Sequence, residues 1–171
     1  MHAVVVYESM YGNTHVVADA IGAGLSEAYQ VDVVGVDRAD AGLLEDADLL
    51  VVGGPTHVHG MSRASTRKAA VEQAREPGSE LTLDPDAEGP GLREWFDALP
   101  SLRARAAAFD TRVNLPPVVT GRAAKGIGRR LRRHGLRVVA QPESFLVTKQ
   151  GALEPDEVTR ARQWGRELAG A

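Results

Sequence analysis

The sequence predicts a three-layer α/β domain built on a doubly wound parallel sheet. Three observations carry the prediction. Short, nearly continuous β-branched runs recur along the chain, as strands covered on both faces require. Stretches with apolar residues at helical spacing lie between them, and strand and helix alternate five times over 171 residues. A chain of this length buries an adequate core as one domain, 1–171, without disulfides or metal.

The elements follow in order. "AVVVY" (3–7) is the first strand, and from Asn13 onward Ala18, Ile21, Leu25 and Ala28 form the inward stripe of a helix. "VDVVGV" (31–36) and "DLLVVGG" (48–54) are the second and third strands, followed by a helix over 62–75. The stretch 76–91 is acidic, rich in Pro and Gly and without periodicity, and reads as a surface insertion. A helix over 91–99 precedes the fourth strand, "ARAAAF" (104–109), and a helix over 121–135 precedes the fifth, "LRVVAQPESFLV" (136–147). Pro142 implies an edge position or a bulge there. The last helix, 155–170, turns Val158, Ala161, Trp164 and Leu168 inward and has Pro155 in its first turn. Trp95 and Trp164 both fall in helices and read as core residues.

Composition narrows the chemistry. The chain has no cysteine, which removes disulfides, thiolate zinc, iron–sulfur clusters and thiol redox, and leaves any redox role to a bound cofactor. Net charge is -3 and the pI about 6.0, so charge does not draw the molecule to nucleic acid. "AVVVY" is far too short for a signal core or a membrane span and lacks a basic leader. A cytoplasmic protein is expected.

The first strand opens onto "ESMYGNT", a loop of hydroxyls and amides that runs into a helix N-terminus. Free N–H groups and the helix dipole favour an anion at such a place. The hydroxyls of Ser9 and Thr14, the Asn13 amide and the N–H groups of Met10, Tyr11, Gly12, Asn13 and Thr14 can wrap a phosphate by hydrogen bonds alone. The loop matches neither the triphosphate pattern G-x-x-x-x-G-K-[ST] nor the dinucleotide pattern G-x-G-x-x-G, which leaves a terminal phosphate monoester. An ordinary strand–helix junction capped by Asn13 or Thr14 is the other reading of the same residues.

"VVVYESMYGNTHVVADAI" resembles the phosphate-binding segment of flavodoxins, "GGPTHVHG" that family's second flavin loop, and "AAAFDTR" its third. The resemblance covers essentially the whole chain in order. It implies a five-stranded flavodoxin-like sheet of order 2-1-3-4-5 that binds FMN beyond the carboxyl ends of its strands. The chain departs from the pattern in lacking the Trp and Tyr with which many flavodoxins sandwich the flavin ring.

In that reading Pro55, Thr56, His57, Val58, His59 and Gly60 lie along the flavin edge. Gly60 either turns a peptide toward the ring's N5 or merely permits the turn. His57 and His59 are equally open to being solvated loop residues. With Glu8 and Asp110 at neighbouring strand ends they also suggest a metal, but the further ligands of such sites are missing, and no metal is expected. Asp110 and Thr111 are expected at the pyrimidine edge of the ring. Arg112 lies either beside the ring, where its charge raises the flavin potential, or in solvent. No side chain is expected to act as acid, base or nucleophile.

Arg122, Lys125, Arg129, Arg130, Arg132, Arg133, His134 and Arg137 crowd one helical segment, with Ala124, Ile127 and Leu131 as its buried stripe. The segment is either a solvated helix face or a docking patch for an acidic redox partner. Nucleic acid is not expected, since no aromatics are interleaved. The sequence therefore predicts an FMN electron carrier serving a protein partner. An FMN-dependent NAD(P)H:quinone reductase, which "GGPTHVHGM" also resembles, is the second reading, and a flavodoxin-like interaction module without flavin the third.

Overall fold

A computed structural model describes residues 1–171. Its central sheet is parallel and runs β2 (Gln30–Gly35), β1 (His2–Tyr7), β3 (Leu49–His57), β5 (Arg105–Val113). Two short strands share the outer edge of β5: β6 (Arg137–Val138) pairs with its first residues and β7 (Glu143–Val147) with its last. These two are the expected fifth strand, so the order agrees with 2-1-3-4-5. The strand is interrupted because Pro142 has no N–H to give the ladder. Arg122 fills the break, donating to the Pro142 carbonyl and to Ser144 Oγ.

Alternation along the strands sorts the core. Val4, Leu50 and Ala106 stand side by side in register and face one hydrophobic layer; their neighbours Val5, Val51 and Ala107 face the other. The first layer is covered by α4 (Leu92–Ala98) and α6 (Ala123–Arg133), the second by α1 (Asn13–Leu25) and α7 (Glu157–Ala169). Trp95 and Trp164 are buried in these layers, as expected. Gly53 is opposite Phe109, whose ring lies 2.2 Å from where a Cβ on Gly53 would sit. The glycine makes room for a core ring that itself packs edge-on against Phe145 and Trp164.

Several local expectations are corrected. Ala28 and Val158 are exposed, because α1 ends at Leu25 and Val158 points off the buried stripe of α7. Pro155 precedes α7, which starts at Glu157 behind a left-handed Asp156. Additional elements include the five-residue α2 (Ala41–Glu45), capped by Asp40, and β4 (Gly60–Met61), which turns back antiparallel on the end of β3. α3 (Ala64–Arg75) starts two residues later than expected, which leaves Ser62 outside it. α5 (Pro117–Thr120) is a single exposed turn. No helix is long and apolar enough to cross a membrane.

The segment 76–91 contains no helix or strand, yet it is anchored. The Asp84 N–H donates to the Met10 carbonyl at 2.8 Å, and Met10, Ala70, Val71 and Ala87 form a small apolar cluster. The segment is thus a flap packed on the 9–14 loop.

Candidate functional site

The carboxyl ends of β1, β3, β5 and β7 converge on a cavity of about 340 Å³. Met10, Tyr11, Asn13 and Thr14 form one wall; Pro55, Thr56 and His57 a second; Thr111, Arg112 and Val113 a third. The fourth wall, Val147 to Gly151, has no counterpart in the sequence reading. Its trace in the sequence is the polar run Thr148-Lys149-Gln150-Gly151 directly after a strand.

The first wall owes its shape to Gly12, which has φ 90° at the N-cap of α1, a conformation costly for other residues. Ser9 is buried, and its Oγ accepts from the Gly12 N–H at 3.1 Å, so it braces the loop from behind rather than facing the cavity. Asn13 Nδ2 donates to the Gly151 carbonyl at 2.7 Å, and the hydroxyls of Thr14 and Thr111 bond each other at 2.7 Å. These contacts tie three of the walls together. They leave the backbone N–H groups of Met10, Tyr11, Asn13 and Thr14 without an acceptor in the chain. Four such donors at a helix N-terminus suit an anion.

The charge of the cavity points the same way. Its lining includes Arg112 and Lys149 and no carboxylate. Arg112 does not extend into solvent: its Nη1 donates to the carbonyl of Leu115 at 2.7 Å, while its Nε is buried with no partner. Burial and the nearby Arg67 hold His57 below the usual imidazole range, so it stands neutral at pH 7. Its ring and that of Tyr11, whose hydroxyl is held by the Ala70 carbonyl, are the flat surfaces in the walls.

The structure places several of the expected site residues away from this cavity. Asp110 is fully buried and outside the cavity; its Oδ2 accepts from the Ala124 N–H at 2.8 Å and caps α6. The helix end takes up Oδ2, and Oδ1 is buried without a partner. Thr56, which does line the cavity, caps the same helix through the Ala123 N–H at 3.0 Å. Val58, His59 and Gly60 lie on the far side of the β3–β4 hairpin, in a separate cavity. The left-handed residues of that hairpin are Val58 and His59, with φ 44° and 69°, and Gly60 does not use its conformational freedom. A β-branched residue in that conformation costs on the order of 1–2 kcal/mol, so the hairpin tip is strained.

Glu8 is also engaged elsewhere. Its carboxyl accepts from the Ser62 hydroxyl and from the Leu92 N–H at 2.8 Å. Arg67 reaches the same Ser62 oxygen at 3.1 Å and Glu94 at 3.1 Å. The network clamps α3 and α4 to the end of β1, just before the 9–14 loop. Burial raises the Glu8 pKa above the usual carboxylate range, against the lowering by its hydrogen bonds. The folded state therefore holds this proton longer than the unfolded state. Stability is full below the ordinary carboxyl pKa and falls as pH rises through the raised one. In urea unfolding from about pH 4 to about pH 8, Glu8→Gln should lose less stability than wild type over that window. Equal slopes would mean Glu8 titrates normally.

The potential ligand atoms that do converge belong to His15, Asp84 and Asp86, all within 4.8 Å of one another. Hydrogen bonds account for them. The Tyr7 hydroxyl bonds His15 Nε2 and Asp86, each at 2.9 Å, and His15 Nδ1 bonds Asp84 at 3.1 Å. The cluster pins the flap to α1 behind the cavity.

Sequence and structure comparisons agree with this fold. The family model described as Flavodoxin matches residues 5–90, from β1 through the flap. No curated protein matches the sequence. Among solved structures, a flavodoxin from the domain Archaea is similar with a TM-score of 0.69 and 22% identity, over 99% of this chain and 97% of that one. Flavodoxin 1 from Bacillus cereus gives 0.65 and 21%, over 99% and 98%. A flavodoxin, WrbA-like protein from Agrobacterium tumefaciens gives 0.55 and 18%, over 99% and 95%. At these identities the structures speak for the fold.

Proposed function

This chain belongs to the flavodoxin family, FMN-binding electron-transfer proteins, and from that premise we propose that the cavity at the ends of β1, β3, β5 and β7 holds the FMN and that the protein passes electrons to a protein partner. The observation that carries the reading is the union of four unpaired N–H groups with a cavity that contains two cations and no carboxylate.

The residues present fit the group. A phosphate monoester is a dianion, and the N–H groups of the 9–14 loop, with Thr14 and Asn13 beside them, offer charge-assisted hydrogen bonds at no cost in buried cations. Pro55 to His57 and Thr111 to Val113 supply the walls, and Tyr11 and neutral His57 present flat, uncharged faces to a conjugated ring. Arg112 places positive charge on the wall. Bound FMN supplies the electron-accepting ring; the chain binds it, orients it, excludes water and sets the local field.

For the partner, α6 offers an outward set of cations, Lys125 and Arg132, continued by Arg137, all exposed. We assign to them the steering of an acidic partner.

Titration of the flavin-free protein with FMN tests the reading. One equivalent should quench flavin fluorescence, and riboflavin, which lacks the phosphate, should bind on the order of 100-fold more weakly or worse, the worth of about two charge-assisted hydrogen bonds. Equal affinity for the two flavins would remove the phosphate from the 9–14 loop. No binding of either would leave a fold without its cofactor. In the loaded protein, electron transfer to an acidic acceptor should slow steeply with salt, and a salt-independent rate would move the docking off α6.

A further inference from the structure

Beyond the flavin site, on the outer side of the β3–β4 hairpin, lies a second cavity of about 380 Å³. Arg63 follows the hairpin, Arg93 comes from α4, and Arg122, Arg129, Arg130 and Arg133 come from α6 and its N-cap. The four from α6 recur at helical spacing and so form a single stripe turned into the cavity. No carboxylate lines it. Of the six arginines only Arg130 has an acidic partner, Asp97 at 2.9 Å. Arg93 is held by the carbonyls of Met61 and Ser62, and Arg122 by Ser144 and Pro142, neutral acceptors that fix the groups without pairing either with a carboxylate. The crowding is felt: Arg93 is shifted below the usual guanidinium range by burial and by repulsion from Arg63 and Arg130, against the opposing pull of Glu94 and Asp97.

A chain with net charge -3 has no compositional reason to gather six arginines, and no lysine, around one hollow. Guanidinium forks converging from three elements match oxyanions that accept two bonds at once. A carboxylate brings one charge on two oxygens. Linked phosphates bring several charges in a volume this cavity accommodates, and so cancel the repulsion with one ligand. We propose that this cavity binds a small molecule carrying two or more linked phosphate groups, separately from the flavin cavity. Only the hairpin divides the two: His57 lines one and Val58 to Met61 the other.

Calorimetric titration of the FMN-loaded full chain with sodium tripolyphosphate is the test. One ion should bind per chain, and Arg129→Gln with Arg133→Gln should weaken it about tenfold or more while the flavin absorbance is unchanged. Both residues are exposed at the cavity mouth, so the double variant should fold; Arg63→Gln, on another element, should weaken binding in the same direction. Sulfate at equal ionic strength should not compete. Absence of binding, or binding indifferent to all three substitutions, overturns the proposal. Tighter binding of a hexaglutamate peptide than of tripolyphosphate overturns it in favour of an acidic protein segment. Loss of flavin during preparation would bear on the cofactor reading and not on this one, because the tripolyphosphate isotherm is read independently.

Discussion

Replacing Arg112 with alanine should lower the one-electron midpoint potential of the FMN-loaded protein by up to roughly 170 mV. A unit charge about 4 Å from a developing negative charge, at an effective dielectric of ~20, is worth ~4 kcal/mol, and 59 mV corresponds to a tenfold change for one electron. Three features of the structure keep the charge effective. Arg112 Nη1 is anchored to the Leu115 carbonyl, its Nε is buried, and no carboxylate shares the cavity to neutralise it. Solvent reaching the cavity reduces the figure through screening, so added salt should shrink the difference between variant and wild type. Arg112→Lys, which keeps the charge but not the fork, should retain most of the potential. Redox titration of the three proteins decides the matter; a midpoint unmoved by the alanine substitution would place the guanidinium outside the field of the flavin.

Gly24→Ala should cost about 3 kcal/mol of stability, the upper part of the range for overpacking. A Cβ at Gly24 would lie 2.1 Å from the Arg162 carbonyl oxygen, and on the facing helix a Cβ at Gly165 would lie 2.3 Å from the Ile21 carbonyl oxygen. Both obstacles are backbone, so no rotamer change relieves them, and α1 and α7 must separate. For a chain of this size such a loss lowers the melting temperature by roughly 6–12 °C. Gly170→Ala, where the nearest atom is 3.8 Å away, is the control and should change stability by no more than about 0.5 kcal/mol. Because α1 carries the 9–14 loop at its N-terminus, the shifted helix should also bind FMN more weakly. Thermal melts that do not separate Gly24→Ala from the control would show that the helix pair tolerates the added carbon.

Local sequence carries the order of the main strands and helices and the position of the 9–14 loop with its unpaired N–H groups. Parallel strands covered on both faces must be apolar throughout, so β1, β2, β3 and β5 stand out as valine, leucine and alanine runs with no partner in view. Pro142 announced the broken edge because a missing N–H is a local property. The 9–14 loop was legible for the same reason: its donors belong to consecutive residues.

Where individual side chains go depends on neighbours tens of residues away, and only the folded chain shows it. Asp110 looks like a ligand contact in sequence, and the end of α6 claims it; Thr56 caps the same helix while still lining the cavity. Val58 and His59 read as flavin-loop residues until the hairpin carries them to the opposite side. The flap is featureless as a string, yet it is fastened to the 9–14 loop through Asp84 and Met10, and to β1 and α1 through Tyr7 and His15. The 147–151 wall and the six-arginine hollow exist only once distant elements meet. Periodicity encodes which face of an element is buried; it does not encode which other element buries it.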